Sequence, residues 1–244
     1  ISHVVDNTTT QVNLLDSLGN PTETNIPLTF YDDFTDIVKY NFVHTMNHMG
    51  NPDTMIIDPV LKYRVVAHTI PPVESEVITI QPGEHTIIPL ITPQGKLKII
   101  LNTKKDYQFI VRKAGENTTI NVQNINKEQN YITGLYDIEL LTLPRQYFKD
   151  VRINQNQLTK LQLPSTGLAN VLLPANGYGG VYLNDGDKLE EIYKFNGESN
   201  QYKLTLLPGK YTVIYRAKSS KKYIYSNEKS FTIKSGKSQL IKIY

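Results

Sequence analysis

The stretch LLPGKYTVIYR, residues 206–216, decides the fold. Pro208 and Gly209 break the chain, and after them Tyr211, Val213 and Tyr215 alternate with Thr212, Ile214 and Arg216 at the two-residue period of a pleated strand. The same pattern stands twice more upstream, as YRVVAHT from Tyr63 and YDIELLT from Tyr136. Each copy begins with Tyr and places Val65/Ala67, Ile138/Leu140 or Val213/Tyr215 on one face. A shorter strand follows each, at residues 78–80, 151–153 and 231–233, and 17, 17 and 22 residues separate the Tyr from the last Ile. The third copy carries a longer hairpin, through KSSKKYIYSNEKS.

The match runs on into a turn and a closing strand. QPGEHTIIPL, NQNQLTKLQL and KSGKSQLIKI place Gly83, Asn156 and Gly236 at one offset, and Gly and Asn are the residues that tolerate positive φ, so one tight turn is expected in all three. Beyond it Ile88/Leu90, Leu161/Leu163 and Ile241/Ile243 give each closing strand a core-facing side. Gly95 and Gly167 open the second and third copies. The expected divisions are a short lead at residues 1–10 and modules at 11–91, 92–164 and 165–244, with no Gly/Ser-rich or Pro-rich linker between them, so a semi-rigid rod or a compact stack is expected. Short strands broken by turn signals at this spacing predict an all-β chain of three tandem antiparallel β-sandwiches, immunoglobulin-like or transthyretin-like in strand order. A short helix is expected only at residues 32–38.

With 244 residues, 39% of them hydrophobic, and no cysteine, the chain must hold its core by packing alone, and disulfides, thiolate metal sites and cysteine nucleophiles are excluded. No run of about 18 apolar residues is present, so no membrane span is expected in this chain. ISHVVDNTTT lacks the pattern of a signal peptide, and Ile at position 1 suggests a piece of a longer chain. Charge is uneven: residues 1–91 carry 3 basic and 11 acidic residues (net −8), residues 92–164 carry 11 and 6 (net +5), and residues 165–244 carry 12 and 6 (net +6). That asymmetry suits solvated surface, an electrostatic contact between modules or an anionic partner, whereas nucleic acid is not expected because no binding motif accompanies it.

Each chemical motif is incomplete. His44 and His48 in FVHTMNHM have the spacing of zinc ligands on a helix, but the Glu of HExxH is missing and the segment alternates as a strand does. NDGDKLEE, residues 184–191, lacks the spacing of a calcium loop and reads as a hairpin turn, and Asp32, Asp33 and Asp36 read as a solvated loop. NGYGG, residues 176–180, has a phosphate loop's glycines without its lysine and reads as a flexible turn. No nucleophile elbow is present. Neither cofactor nor metal is expected. Tyr223 and Tyr225 among Lys218, Lys221 and Lys222 lie on the extra length of the third copy, and this exposed amphipathic hairpin is the candidate interaction surface.

NTTTQVNLLDSLGNPTETNIPLTFYDD, YRVVAHTIPPV, PGEHTIIPLITPQG, YDIELLTLPR and KSFTIKSG resemble the accessory region that follows a von Willebrand factor type A domain in exported proteins of Bacteroidetes. The resemblance covers nearly all of the chain. It implies that ISHVVDN ends the preceding domain's last helix, that the cation-binding adhesion motif DxSxS lies outside this chain, and that the region is extracytoplasmic and non-catalytic. Asp16-Ser17-Leu18-Gly19 does not reproduce that motif. The expected function is a stalk or protein-interaction region of an adhesion-type protein, with a protein or envelope component as partner. The alternatives are a carbohydrate-binding module in envelope polysaccharide handling and a hydrolase of unrecognised type.

Overall fold

A computed structural model describes residues 8–22, 25–220 and 226–244, and among them it holds strands and turns and no helix. The first module runs β1 (Thr9–Leu15), β2 (Pro27–Asp32), β3 (Val38–Val43), β4 (Thr54–Ile56), β5 (Lys62–Ala67), β6 (Val73–Glu74), β7 (Ile78–Thr79) and β8 (His85–Ile91). The second runs β9 (Gln94–Ile100), β10 (Gln108–Lys113), β11 (Thr119–Asn124), β12 (Gln129–Ile132), β13 (Gly134–Leu140), β14 (Gln146–Ile153) and β15 (Leu158–Gln162). The third runs β16 (Gly167–Leu172), β17 (Gly177–Asp185), β18 (Lys188–Lys194), β19 (Gln201–Leu206), β20 (Gly209–Ala217), β21 (Asn227–Ile233) and β22 (Ser238–Lys242).

One strand order serves all three. The sheets β4-β1-β8, β12-β9-β15 and β19-β16-β22 each set the fourth, first and seventh strands side by side. The sheets β3-β2-β5-β6, β11-β10-β13-β14 and β18-β17-β20-β21 set the third, second, fifth and sixth, with β7 completing a sixth strand that is split in the first module. An immunoglobulin constant domain groups its strands A-B-E-D and C-F-G instead. The modules therefore do not have the immunoglobulin constant-domain strand order. Pairing is not antiparallel throughout: β1–β8 and β16–β22 are parallel, the latter from Leu168↔Ser238 to Leu172↔Lys242. The closing strand reaches its sheet by crossing from the other one, and crossovers rather than hairpins are what bring parallel strands together.

Between β2 and β3, residues 33–37 form a turn, and no helix spans 32–38. Asp32 Oδ1 accepts the Phe34 N–H at 3.1 Å and Oδ2 the Thr35 hydroxyl at 2.7 Å, the local bonding by which Asp competes with helix formation. The three tight turns before the closing strands match their expectation, since Gly83, Asn156 and Gly236 sit at φ 77°, 56° and 66°.

Two compact units divide the chain, one of residues up to Leu97 with Glu128–Tyr136 and Val151–Thr159, the other of Lys98–Lys127, Asp137–Asp150 and Lys160–Tyr244. The middle strands β9, β13, β14 and β15 have residues in both. In the first unit a core of Val12, Leu14, Leu28, Phe30, Tyr63, Val65, Ile88 and Leu90 lies between the sheets of the first module. In the second, Val171, Val181, Leu206, Tyr211, Val213, Tyr215, Ile233 and Ile241 do the same for the third module. Alternate burial along β1 and β5 is the sequence's two-residue period made physical.

The repeated tyrosine has one role in each copy. Tyr63, Tyr136 and Tyr211 are buried on the fifth strand, and their hydroxyls donate to the carbonyls of Asp58 (2.8 Å), Ile132 (2.6 Å) and Leu207 (2.6 Å). Burial pushes the Tyr136 hydroxyl up to about 12 and raises the other two as well, so all three donate throughout the neutral range. Gly95 and Gly167 are also equivalent. A Cβ at Gly95 would lie 2.1 Å from Asn154 O and 2.9 Å from Ile153 Cγ2, and one at Gly167 would lie 2.7 Å from Lys234 O and 2.5 Å from Ile233 Cγ2. The end of the sixth strand crosses the start of the first so closely that neither place admits a side chain.

Outward charges form compact clusters. In the second unit Glu139 accepts from Arg112 Nη2 at 3.0 Å and from Arg145, and Asp137 accepts from Lys149 Nζ at 2.7 Å and from the Gly115 and Asp150 amides at 3.2 Å each. Burial works to raise Glu139, but the two guanidinium groups outweigh it and hold it below the usual carboxylate range; the Lys149 bond does the same for Asp137. In the first unit Asp16 is held down to about 2, chiefly by the Asn20 N–H. Each folded-state value lies below the unfolded one, so the stability these groups supply is present above about pH 4.5 and is lost as pH falls through the folded values. Glu139→Gln is therefore expected to cost about 1–2 kcal/mol at pH 7, kept modest by the exposure of Arg145, and the gap to wild type should narrow as pH falls below about 4.5 in thermal melts. A gap that does not change with pH would contradict this.

Candidate functional site

The hairpin singled out from sequence is described only at its edges. Lys218 is exposed just past β20, and its N–H donates to Asn176 O at 3.0 Å. Lys221, Lys222, Tyr223 and Tyr225 lie outside the described residues. His44 and His48 are not brought together as ligands: His44 is buried with Nε2 3.1 Å from Val12 O, and His48 is exposed in the following turn. Burial lowers the His44 imidazole below its usual range. Among the described residues no three His, Asp or Glu side chains converge as metal ligands. NDGDKLEE is the hairpin expected of it, with Asp185 paired to Lys188 around Gly186.

NGYGG is not a flexible turn. Gly177, Gly179 and Gly180 lie within β17, the first two where the β20 backbone and the Tyr215 ring come too close for a Cβ and the third where Tyr193 O of β18 does. One hydroxyl–imidazole pair, Thr29 and His68 Nε2 at 2.7 Å, looks like half of a catalytic set. The Thr29 hydroxyl, however, donates to Asn41 Oδ1 at 2.7 Å, so it receives rather than gives a proton at His68.

The repeat instead builds two equivalent junctions. After the fifth strand, Thr69-Ile70-Pro71 and Thr142-Leu143-Pro144 form matching corners, with a cis peptide before each proline and the Thr hydroxyl donating to the proline carbonyl at 2.6 and 2.7 Å. Within the first unit Ile70 O accepts the Ile132 N–H at 2.8 Å, and within the second Leu143 O accepts the Leu207 N–H at 2.8 Å. Ile132 and Leu207 are the residues whose carbonyls receive the corner tyrosines. Each is thus held on both sides, by its own module's Tyr through C=O and by the preceding module's corner through N–H. Leu143 also packs its side chain against the third module's core. The first module has Pro59, with no N–H, four residues before Tyr63, and the third has Ala217-Lys218-Ser219 where the corner would be.

Other contacts reinforce these junctions. Gln155 Nε2 donates to Asp16 Oδ2 at 2.8 Å, and the Thr92 N–H to Leu15 O at 2.7 Å. At the second junction the Tyr107 hydroxyl donates to Thr205 O at 3.4 Å, and the Thr166 hydroxyl donates to Thr103 Oγ1 at 3.0 Å. Beside these last contacts lies a cleft of about 510 Å³ bordered by residues 102–105, 165–168 and 236–238.

No family model and no curated protein matches the chain. Among solved structures it is similar to the Bacillus anthracis TIE protein, at 13% identity and TM-score 0.26 over 97% of this chain and 50% of that one, so it spans half of that protein's length. It is similar to a streptococcal ancillary pilin at 12% identity and TM-score 0.28, covering 96% and 98% of the two chains. It is also similar to GBS52, the minor pilin of Streptococcus agalactiae, at 11% identity and TM-score 0.27, covering 97% and 94%. All three scores lie below 0.5, and the fold stands on the chain's own strand order. No helix among the described residues is long and apolar enough to cross a membrane.

Proposed function

We propose that this chain is a non-catalytic stalk and interaction region of an extracytoplasmic, adhesion-type protein, following a von Willebrand factor type A domain. The observation that carries the reading is the repeated junction, in which a Thr-x-Pro corner docks on the Tyr-locked residue of the next module. Within each unit a corner of one module is bonded to the next module, and only two residues separate the closing strand β8 from β9, an arrangement that suits a presenting element better than a catalytic cleft. The resemblance carried by the motifs quoted above supports the extracytoplasmic placement and the neighbouring domain.

The test uses intact cells of the source organism and antibody raised against this chain. Surface labelling without permeabilisation is expected, together with loss of adhesion when the region is deleted from the full-length protein and its recovery when another rigid β-sandwich array of equal length is inserted. Labelling only after lysis, or adhesion unaffected by deletion, would overturn the reading.

A further inference from the structure

Four lysines line the cleft at the second junction, Lys104 and Lys105 from the second module and Lys203 and Lys237 from the third, with the hydroxyls of Thr103 and Thr166 between them. Its described lining has no carboxylate and no aromatic ring, and Leu168 is its one hydrocarbon side chain. Among the described residues none of the four ammonium groups is in an ion pair. The corresponding loops of the first junction close on each other through Gln155 and Asp16. At the second junction both walls carry lysines, of which Lys105 lies over the Tyr107 ring at 5.3 Å, and no carboxylate stands among the lining residues to neutralise them.

We propose that this cleft binds an acidic polysaccharide, its carboxylate or sulfate groups bridging the lysines of the two modules. An oxyanion satisfies ammonium groups on both walls at once through charge-assisted hydrogen bonds, and the threonine hydroxyls serve the sugar hydroxyls. The cleft's volume lies in the range of small-ligand sites. A neutral sugar would be expected to use an aromatic face, and a protein partner aromatic anchors, and the lining offers neither. The inference deepens the stalk reading by naming a partner class, and its test reads binding at the cleft alone, so its failure leaves the presenting role of the chain intact.

Calorimetric titration of the whole chain at low salt would use four probes: a heparin-derived hexasaccharide, a galacturonate hexamer, maltohexaose and a polyglutamate peptide. At least one acidic hexasaccharide is expected to bind, with affinity falling as salt rises. Lys104→Gln/Lys237→Gln should weaken it by at least about tenfold at an unchanged melting temperature, since each change removes a charge-assisted contact. Lys113→Gln/Lys188→Gln, an equal loss of charge away from the cleft, should alter affinity by less than about twofold. Which acidic sugar binds tells sulfate from carboxylate. The proposal falls if neither acidic sugar binds, if the cleft variant loses no more than the control, or if maltohexaose or polyglutamate binds as tightly and competes.

Discussion

Tyr211→Ala is expected to unfold the third module while the rest of the chain keeps its strand signal. The ring is fully buried, stacks on Phe231 at 5.6 Å between centroids, and donates through its hydroxyl to Leu207 O at 2.6 Å. Truncating a buried aromatic to Ala costs about 3–5 kcal/mol through lost transfer energy and the residual cavity. The stranded Leu207 carbonyl adds about 1–3 kcal/mol. Against a domain stability of about 5–15 kcal/mol, little remains. Tyr211→Phe keeps the ring and should cost only about 1–2 kcal/mol. Urea unfolding followed by circular dichroism separates the two, and a Tyr211→Ala loss below about 1 kcal/mol would show that the corner does not hold the module.

Gly179→Ala is the second change with a large expected effect. Gly179 pairs with Tyr215 across β17 and β20 at φ +132°, and a Cβ there would sit 1.9 Å from Ile214 O. Backbone strain of about 1–3 kcal/mol adds to a comparable cost of forcing the strands apart. Gly186, at φ +68° in the β17–β18 hairpin, has nothing within 4 Å of its Cβ position, so Gly186→Ala should cost only about 1–2 kcal/mol. Thermal melts of the two variants should differ widely. Equal melting temperatures would mean that the close approach of β20 is absent in solution.

Much of this fold is legible in sequence because its determinants are local. The Tyr at each fifth strand, the two-residue alternation after it and the positive-φ residue before each closing strand are all read within about twenty residues. NGYGG was misread because its glycines answer to Tyr215 and Ile214, some 35 residues away, which no local pattern reports. The helix expected at residues 32–38 yields to side-chain bonding by Asp32, whose effect depends on which of its neighbours its carboxylate can reach. The parallel first-to-last pairing is likewise a product of sheet crossing, invisible in any one strand.

The candidate site divides the same way. The uneven charge announces a basic second half, but Lys104, Lys203 and Lys237 come from three separated segments that only the junction assembles. The hairpin around Lys218 stands out in sequence as a departure in length, whereas the docking corners do not read as sites. Their sequence signal is present in TIPP and TLPR, each beginning six residues after the tyrosine and absent from the third copy. What no sequence states is that Ile132 and Leu207 turn their N–H groups toward the preceding module while their carbonyls are held by tyrosine.

Native-state hydrogen exchange at the amides of Ile132 and Leu207 tests the repeated junction most directly. Ile132 ends β12 and Leu207 directly follows β19, and a strand-end amide without a partner exchanges at close to the open-chain rate. If Ile70 O and Leu143 O accept them as described, both will be protected to the level of the β13 and β20 strand amides. Replacing Thr142-Leu143-Pro144 by three glycines will release Leu207 while leaving Ile132 protected. Rapid exchange at both positions in the unaltered chain, beside protected strands, would contradict the junction and with it the jointed array on which the proposed function stands.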